Sequence, residues 1–180
     1  MYKLRPFVNQ NIMLSVYYSL IYPHFIYGIQ VWGSSFASNL KVLETLQKKV
    51  VRLITHNDNP YNNGEIIHSL PLFSNLGLLK ISEIYKLQIS KFIYDCLHNY
   101  APQQFTLWYH RGSDLHDHET RTNNDLFIPY GRTTHYGLKS IKIQGSKIWN
   151  EIPLNIREIN SRNLFNKKLK LKYISDYVTN

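Results

Sequence analysis

The sequence predicts a mainly α-helical chain, because apolar residues recur at three- and four-residue spacing in three long segments. These segments span residues 40–53, 81–96 and 164–174, and turn-forming residues lie between them. The chain has 180 residues, 43% of them hydrophobic, which is enough to bury a core. The period-two alternation typical of strands is limited to one short stretch, so few strands are expected.

The first predicted helix runs from Val8 to Tyr22, is capped by Asn9 or Asn11, and is expected to kink or break at Pro23. It overlaps an uncharged run, residues 14–33, that contains four tyrosines and no Lys, Arg, Asp or Glu. Such a run is either a membrane span or a buried element. The tyrosine hydroxyls need hydrogen-bond partners that a membrane does not offer, so we predict a buried aromatic hairpin and no membrane partner.

Two further helices are predicted in the middle of the chain. The second predicted helix begins at a cap on Ser38 or Asn39, and its apolar stripe runs from Leu40 to Leu53. A turn-rich loop and a short helix follow over residues 56–79. The third predicted helix is Ile81 to Leu97, which has apolar residues along one stripe.

The last third of the chain is less regular. Residues 103–135 show no clean period, and Gly137 to Gln144 alternates, which predicts a short β-strand or hairpin. Gly145 to Pro153 reads as a turn that enters a short helix ending at the proline. Ser161 to Tyr177 is predicted as a basic amphipathic helix.

These features divide the chain into a helical bundle, residues 1–101, and a basic loop-rich extension, residues 102–180. The net charge is +9, and residues 132–180 hold 10 of the 21 Lys and Arg residues but only 3 of the 12 acidic ones. A clustered positive excess favours a polyanionic partner, which is an RNA or DNA backbone or an anionic membrane surface. The alternative is a solvated tail that serves solubility.

The single cysteine, Cys96, excludes an internal disulfide framework and a multi-cysteine zinc site. It lies on the apolar stripe of the third helix, so we predict a packed thiol rather than a nucleophile. No signal peptide is recognisable at the start of the sequence. We therefore expect an intracellular protein, nuclear or cytoplasmic, that is not secreted.

Ten basic residues are candidate contacts to a nucleic-acid backbone. Tyr130, Tyr136 and Trp149 are candidate stacking rings, although core packing is the stronger interpretation for Trp149. For the lysines, the alternative is a solvated helix face. The candidate contacts are Lys48, Lys49, Arg52, Arg132, Lys139, Lys142, Arg162, Lys167, Lys168 and Lys170.

The sequence predicts no catalytic centre and no cofactor. His110, His116 and His118 lie near acidic residues and resemble an iron-binding set, but they fall in a predicted loop, so no metal site is assigned. There is no glycine-rich phosphate loop, no GxSxG, no HExxH and no Asp-Asp pair.

Five segments, read in order, carry a family resemblance. They are YYSLIYPHFIYGIQVWG from Tyr17, LKVLETLQKKVVRLIT from Leu40, HETR from His118, RTTHYGLKSIKIQGSKIWNEIP from Arg132 and FNKKLK from Phe165. Together they resemble the region after the catalytic palm in reverse transcriptases of non-LTR (LINE-type, jockey-like) retrotransposons.

The resemblance implies a thumb-like helical bundle that grips the template–primer duplex, followed by an extension that holds RNA or DNA. The catalytic aspartates of the family lie upstream, so the resemblance implies an inactive C-terminal fragment of an RNA-directed DNA polymerase whose natural partner is the missing palm domain. Two alternatives remain. One is a helical interaction module without a nucleic-acid role. The other follows from similarity of the first fifty residues to the N-terminal module of an AlkB-type tRNA-modifying methyltransferase or dioxygenase, whose catalytic residues are not found.

Overall fold

The computed structural model describes residues 1–55, 61–62, 65–66, 68–115 and 124–179, and this part of the chain is mainly helical. Two-residue strands, β1 (Tyr61–Asn62) and β2 (Glu65–Ile66), pair antiparallel. A 3-10 turn covers Tyr2–Phe7, and π-helical turns cover Tyr17–Ile21 and Thr134–Leu138. The α-helices are α1 (Gln10–Val16), α2 (Tyr22–Ile26), α3 (Ile29–Trp32), α4 (Ala37–Ile54), α5 (Leu70–Leu76), α6 (Ile81–Leu97), α7 (Gln103–Thr106), α8 (Gly112–Leu115), α9 (Ile141–Asn150), α10 (Leu154–Arg157) and α11 (Arg162–Thr179).

The mainly helical class is confirmed, and the three strongest periodic segments form the three longest helices of the described residues. These are α4, α6 and α11, and the predicted bounds of α6 agree with the structure. None of the helices within the described ranges is both long enough and apolar enough to cross a membrane.

One of the two residues predicted to cap the first helix does so. Asn9 Oδ1 accepts a hydrogen bond from the Ile12 N–H at 3.0 Å, so Asn9 rather than Asn11 caps α1. Of the kink or break predicted at Pro23, the break does not occur, because the helical conformation continues through the proline into α2. A π-helical turn, Tyr17–Ile21, precedes the proline, which then occupies the first turn of α2, where its missing N–H costs no intrahelical bond.

The uncharged run, residues 14–33, is buried on one face only. Tyr17 and Ile29 are each 1% exposed, whereas Tyr27 and Val31 are each 84% exposed. The prediction of a buried aromatic hairpin therefore holds for Tyr17, Phe25 and Ile29, which are the buried side chains of the run, and not for its exposed face.

The short strand predicted at Gly137 to Gln144 is wrong. The π-helical turn before it ends at Leu138, Ser140 precedes the first turn of α9, and Ile143 lies inside the helix. Leu138 is exposed and Ile143 is buried, so the apolar residues here do not share one strand face. Alternation over so few residues is compatible with either structure, and tertiary packing of α9 decides between them.

The described chain separates into two compact units. The first comprises Met1–Ile29, Ser35–Ile84 and Lys170–Asn180, and the second comprises Gln30–Ser34 and Tyr85–Leu169. The division into residues 1–101 and 102–180 stays a prediction.

The core of the first unit is organised by one buried amide. The Gln47 side chain is 1% exposed; its Nε2 donates to the Tyr17 hydroxyl at 3.2 Å and to the Leu79 carbonyl at 2.8 Å, and its Oε1 accepts from the Ile81 N–H at 3.1 Å. Burial raises the pKa of Tyr17 to about 12, so this hydroxyl stays neutral at physiological pH. One side chain thereby connects α4 with the start of the aromatic run and the start of α6.

A second tyrosine, Tyr177, joins the C-terminal segment of the first unit to the start of α6. The Tyr177 hydroxyl accepts from the Lys80 N–H at 2.9 Å and donates to Glu83 Oε2 at 2.9 Å. This satisfies an N–H at the start of α6 that has no intrahelical partner.

The core of the second unit is built around Tyr94 on α6. Its ring stacks on Phe165 with centroids 4.5 Å apart, and its hydroxyl donates to the carbonyls of Ile159 and Asn160 at 3.0 and 2.6 Å. Trp149 packs against Phe165 at 5.7 Å and is 3% exposed, which confirms core packing for this ring.

We expect Gln47→Ala to lower the free energy of unfolding by about 2–4 kcal/mol, because it leaves the Leu79 carbonyl and the Ile81 N–H buried without a partner and adds a cavity. Urea denaturation followed by circular dichroism measures the change. Lys41→Ala on the exposed face of the same helix is the control and should stay within about 0.5 kcal/mol of the parent. A loss below about 1 kcal/mol for Gln47→Ala would contradict the role given to the amide.

Gly145→Ala should destabilise the second unit although alanine is the better helix former. A Cβ at this position would lie 2.8 Å from the Tyr109 hydroxyl oxygen and 3.0 Å from Ile93 Cδ1. Overpacking of this kind costs about 1–3 kcal/mol, which exceeds the helix-propensity gain of about 1 kcal/mol. Thermal unfolding is the measurement, and in a Tyr109→Phe background the same substitution should cost less. Equal costs in both backgrounds would show that the close approach to the hydroxyl is not the cause.

Candidate nucleic-acid interface

The candidate contacts on α4 differ in how accessible they are. The buried residues of this helix are Gln47, Val51 and Ile54, and Lys48 and Arg52 each follow one of them and are half-buried. Arg52 already makes an interaction within the protein. Lys49 is the one exposed residue among the three predicted contacts on α4. The buried stripe is also rotated from the predicted leucine stripe, because Gln47 supplies buried hydrogen bonds that an apolar pattern does not reveal.

A second set of candidate residues meets at the N-terminal end of α9. A Cβ on Gly137 would lie 3.2 Å from Gly131 Cα and 3.4 Å from the Arg132 nitrogen, so the chain at Arg132 runs directly against the turn that precedes α9. Lys139 and Lys142 flank Ser140, the residue before the first turn of that helix. The structure therefore places three predicted cations along one short stretch of surface.

Two aromatic rings accompany these cations. The Lys142 ammonium lies 4.6 Å from the centre of the Trp108 ring, a cation–π contact that holds the side chain across the surface. Tyr130, two residues before Arg132, is 88% exposed. We call Trp108, Tyr130, Arg132, Lys139 and Lys142 the α9 cluster.

Trp108 was not among the predicted stacking rings. It lies 34 residues before Lys142 in the sequence, and no local pattern connects the two. An edge-to-face contact with Phe105, with centroids 4.9 Å apart, also holds the Trp108 ring.

The α11 candidates in the second unit are Arg162, Lys167 and Lys168. Arg162 is bound to Asp95 through an ion pair of 2.5 Å, so its charge is already compensated. Lys167 and Lys168 are exposed, because Phe165 and Leu169 turn the opposite face of the helix into the core. This part of the helix presents two solvent-facing lysines.

Lys170, in the first unit, is less suited to phosphate contact than the sequence indicates. It is half-buried, its ammonium lies 5.9 Å from the centre of the Tyr18 ring, and burial lowers its pKa. A strand of nucleic acid would have to displace this contact to reach the charge.

The remaining sequence candidates are a core residue and residues that the structure does not describe. Trp149 is in the core, and His116, His118 and the Tyr136 side chain lie outside the described residues. No group of three or more His, Cys, Asp or Glu side chains able to hold a metal ion occurs in the part of the chain that the structure describes.

Comparisons with known proteins assign the chain to no family. No protein-family model, no curated protein and no solved structure matches it. The resemblance to non-LTR reverse transcriptases therefore depends on the sequence segments quoted above and stays a prediction.

Cys96 is a buried free thiol, as predicted, and burial raises its pKa from 9.0 to about 11. At pH 8 the native thiolate fraction is therefore about 100-fold lower than for an ordinary cysteine. We expect iodoacetamide to label the native protein at least about 100-fold more slowly than the urea-unfolded protein, with the native rate rising as the pH approaches 11. Mass spectrometry follows the labelling, and equal rates at pH 8 would contradict a packed thiol.

Proposed function

We propose that this chain binds single-stranded RNA or DNA, without sequence preference, through the α9 cluster and the exposed lysines of α11. The observation that carries the proposal is the close approach of Gly131 and Arg132 to Gly137, which brings the segment of the exposed Tyr130 to the turn before α9, the helix whose Lys142 contacts Trp108. Alternating cations and accessible rings are the chemistry of single-strand binding surfaces, in which cations follow the backbone and rings stack on bases.

The roles within the α9 cluster follow from its geometry. Arg132 and Lys142 are exposed and can each neutralise a phosphate, releasing condensed counterions. Tyr130 is exposed, and stacking of its ring on one base contributes about 1–3 kcal/mol. Because neither contact reads base edges, the binding has little sequence specificity.

The resemblance to the post-palm region of non-LTR reverse transcriptases supports the same proposal. In that family the corresponding region holds template, primer or element RNA. We propose that the chain corresponds to a catalytically inactive C-terminal fragment of such an RNA-directed DNA polymerase, acting inside the cell. Its reduced, buried Cys96 is compatible with that location.

The Arg132→Gln, Lys142→Gln double variant tests the electrostatic part. We expect the slope of log K against log salt for a single-stranded RNA to become shallower by about 1.4, or about 0.7 for each phosphate contact. Fluorescence anisotropy titrations at several salt concentrations measure the slope. Lys3→Gln, an exposed lysine outside the cluster, is the control and should leave it unchanged.

Tyr130→Ala tests the stacking part with a different expected signature. Affinity should fall by about 5-fold or more while the salt slope stays the same, because no charge is removed. Tyr100→Ala removes another exposed ring and should leave affinity unchanged. Absence of any binding by the parent protein at low salt would refute the proposed function.

A second candidate function is favoured by exposed apolar side chains in the opening residues. Phe7 is 83% exposed, Leu20 64% and Tyr27 84%. Exposed apolar side chains of this kind favour a helical interaction module that docks on another domain. The proposed partner is the palm domain of a non-LTR reverse transcriptase, the family that the sequence resembles. Size-exclusion chromatography with RNA titration separates the two functions: a monomer that binds RNA favours the first, and a self-associating non-binder favours the second.

A further inference from the structure

The second unit contains a pocket of about 220 Å³ that shares no lining residue with the α9 cluster. Since a water molecule takes up about 30 Å³ of liquid, the pocket has room for a small ligand group with accompanying water. Its polar lining residues are His98, Arg111, Asn124, Arg157, Glu158 and Asn160.

Arg157 is the most informative of these residues. Its side chain is 9% exposed, and its Nη1 donates to Asp125 Oδ1 at 2.8 Å and to the Asn124 carbonyl at 3.2 Å. Its Nε is buried and has no hydrogen-bond acceptor among the described residues. A buried N–H donor without an acceptor is unfavourable and is usually satisfied by water or a ligand.

Two other basic side chains, Arg111 and His98, line the same pocket. Arg111 is exposed, and its backbone is held because its N–H donates to Asp114 Oδ2 at 2.9 Å. The His98 ring stacks on Tyr94 with centroids 3.9 Å apart. Because a carbonyl can only accept, His98 Nδ1 donates to the Tyr94 carbonyl at 2.9 Å, and Nε2 is the ring nitrogen left for a ligand.

We propose that this pocket binds a phosphoryl group, with Arg157 Nε and the Arg111 guanidinium as its principal donors. Donors dominate the lining, and an acceptor-rich dianion matches them. Among the described lining residues Glu158 is the one carboxylate, and it is exposed. The phosphoryl group could belong to the end of a nucleic-acid strand or to free phosphate and small phosphomonoesters.

Titration of the full chain with inorganic phosphate, followed by NMR, provides the test. The Arg157 Nε–H resonance is the direct readout, because phosphate binding should shift it as the bond forms. Arg111→Gln should weaken phosphate binding roughly tenfold, since it removes a charge-assisted donor. Glu158→Gln should strengthen it about two- to fivefold by removing the repelling charge.

Lys147→Gln removes an exposed lysine that does not line the pocket and is the matched control. An unshifted Arg157 Nε–H at saturating phosphate would overturn the proposal. So would a loss of binding in Lys147→Gln as large as that in Arg111→Gln, because it would show general surface attraction.

The source of the phosphoryl group is distinguished with oligoribonucleotides. Tighter binding of a 5′-phosphorylated strand than of inorganic phosphate or the 5′-hydroxyl strand would assign a nucleic-acid end. Equal binding of the phosphorylated strand and inorganic phosphate would assign free phosphate or a small phosphomonoester. The inference does not depend on the proposed function, because Tyr130 does not line the pocket. The Tyr130→Ala variant should therefore still bind inorganic phosphate and still shift the Arg157 Nε–H resonance.

Discussion

The buried amide of Gln47 is the interaction on which the first unit depends. It is a polar side chain at 1% exposure whose three hydrogen bonds join residues 17, 79 and 81 to α4. Each partner would otherwise be a buried polar group with a desolvation penalty, so the amide prevents three separate losses. The same network explains why an aromatic run rich in hydroxyl groups can pack one face inside a protein, and why its other face remains in solvent.

Charge on this chain is divided between cations used in the structure and cations left for a partner. Arg157 and Arg162 pair with Asp125 and Asp95, so their charges are largely compensated and contribute little long-range attraction, while the Nε of Arg157 is left as a hydrogen-bond donor for the pocket. Lys142 lies between these two classes, because the Trp108 ring contacts its ammonium group without neutralising the charge. Net charge alone therefore overstates the number of cations available to a partner, and the proposed interface uses those near α9 and on the exposed face of α11.

Helix positions were predictable where the sequence has long periodic segments, as in α6 and α11. The polar residues that organise the core were not. Gln47 interrupts an apolar stripe and looks like a surface residue until its partners, 30 to 34 residues away, are known. The same limit applies to the candidate site: Arg132, Lys139 and Lys142 were predicted because they are close in sequence, whereas Trp108 and the pocket around Arg157 depend on contacts across 30 residues or more.

The hydroxyl of Tyr177 has a consequence for the order in which the chain can fold during synthesis. It bonds to Lys80 and Glu83, so the first unit is completed by residues that leave the ribosome almost a hundred positions later. Until then the N–H of Lys80 lacks this partner, and completion of the first unit must wait while residues 85–169 of the second unit are translated. Because translation proceeds at about 5–20 residues per second, this interval lasts about 5–20 seconds. A ribosome-stalled chain that stops before α11 would therefore contain all the opening helices of the first unit but lack the C-terminal segment that completes it.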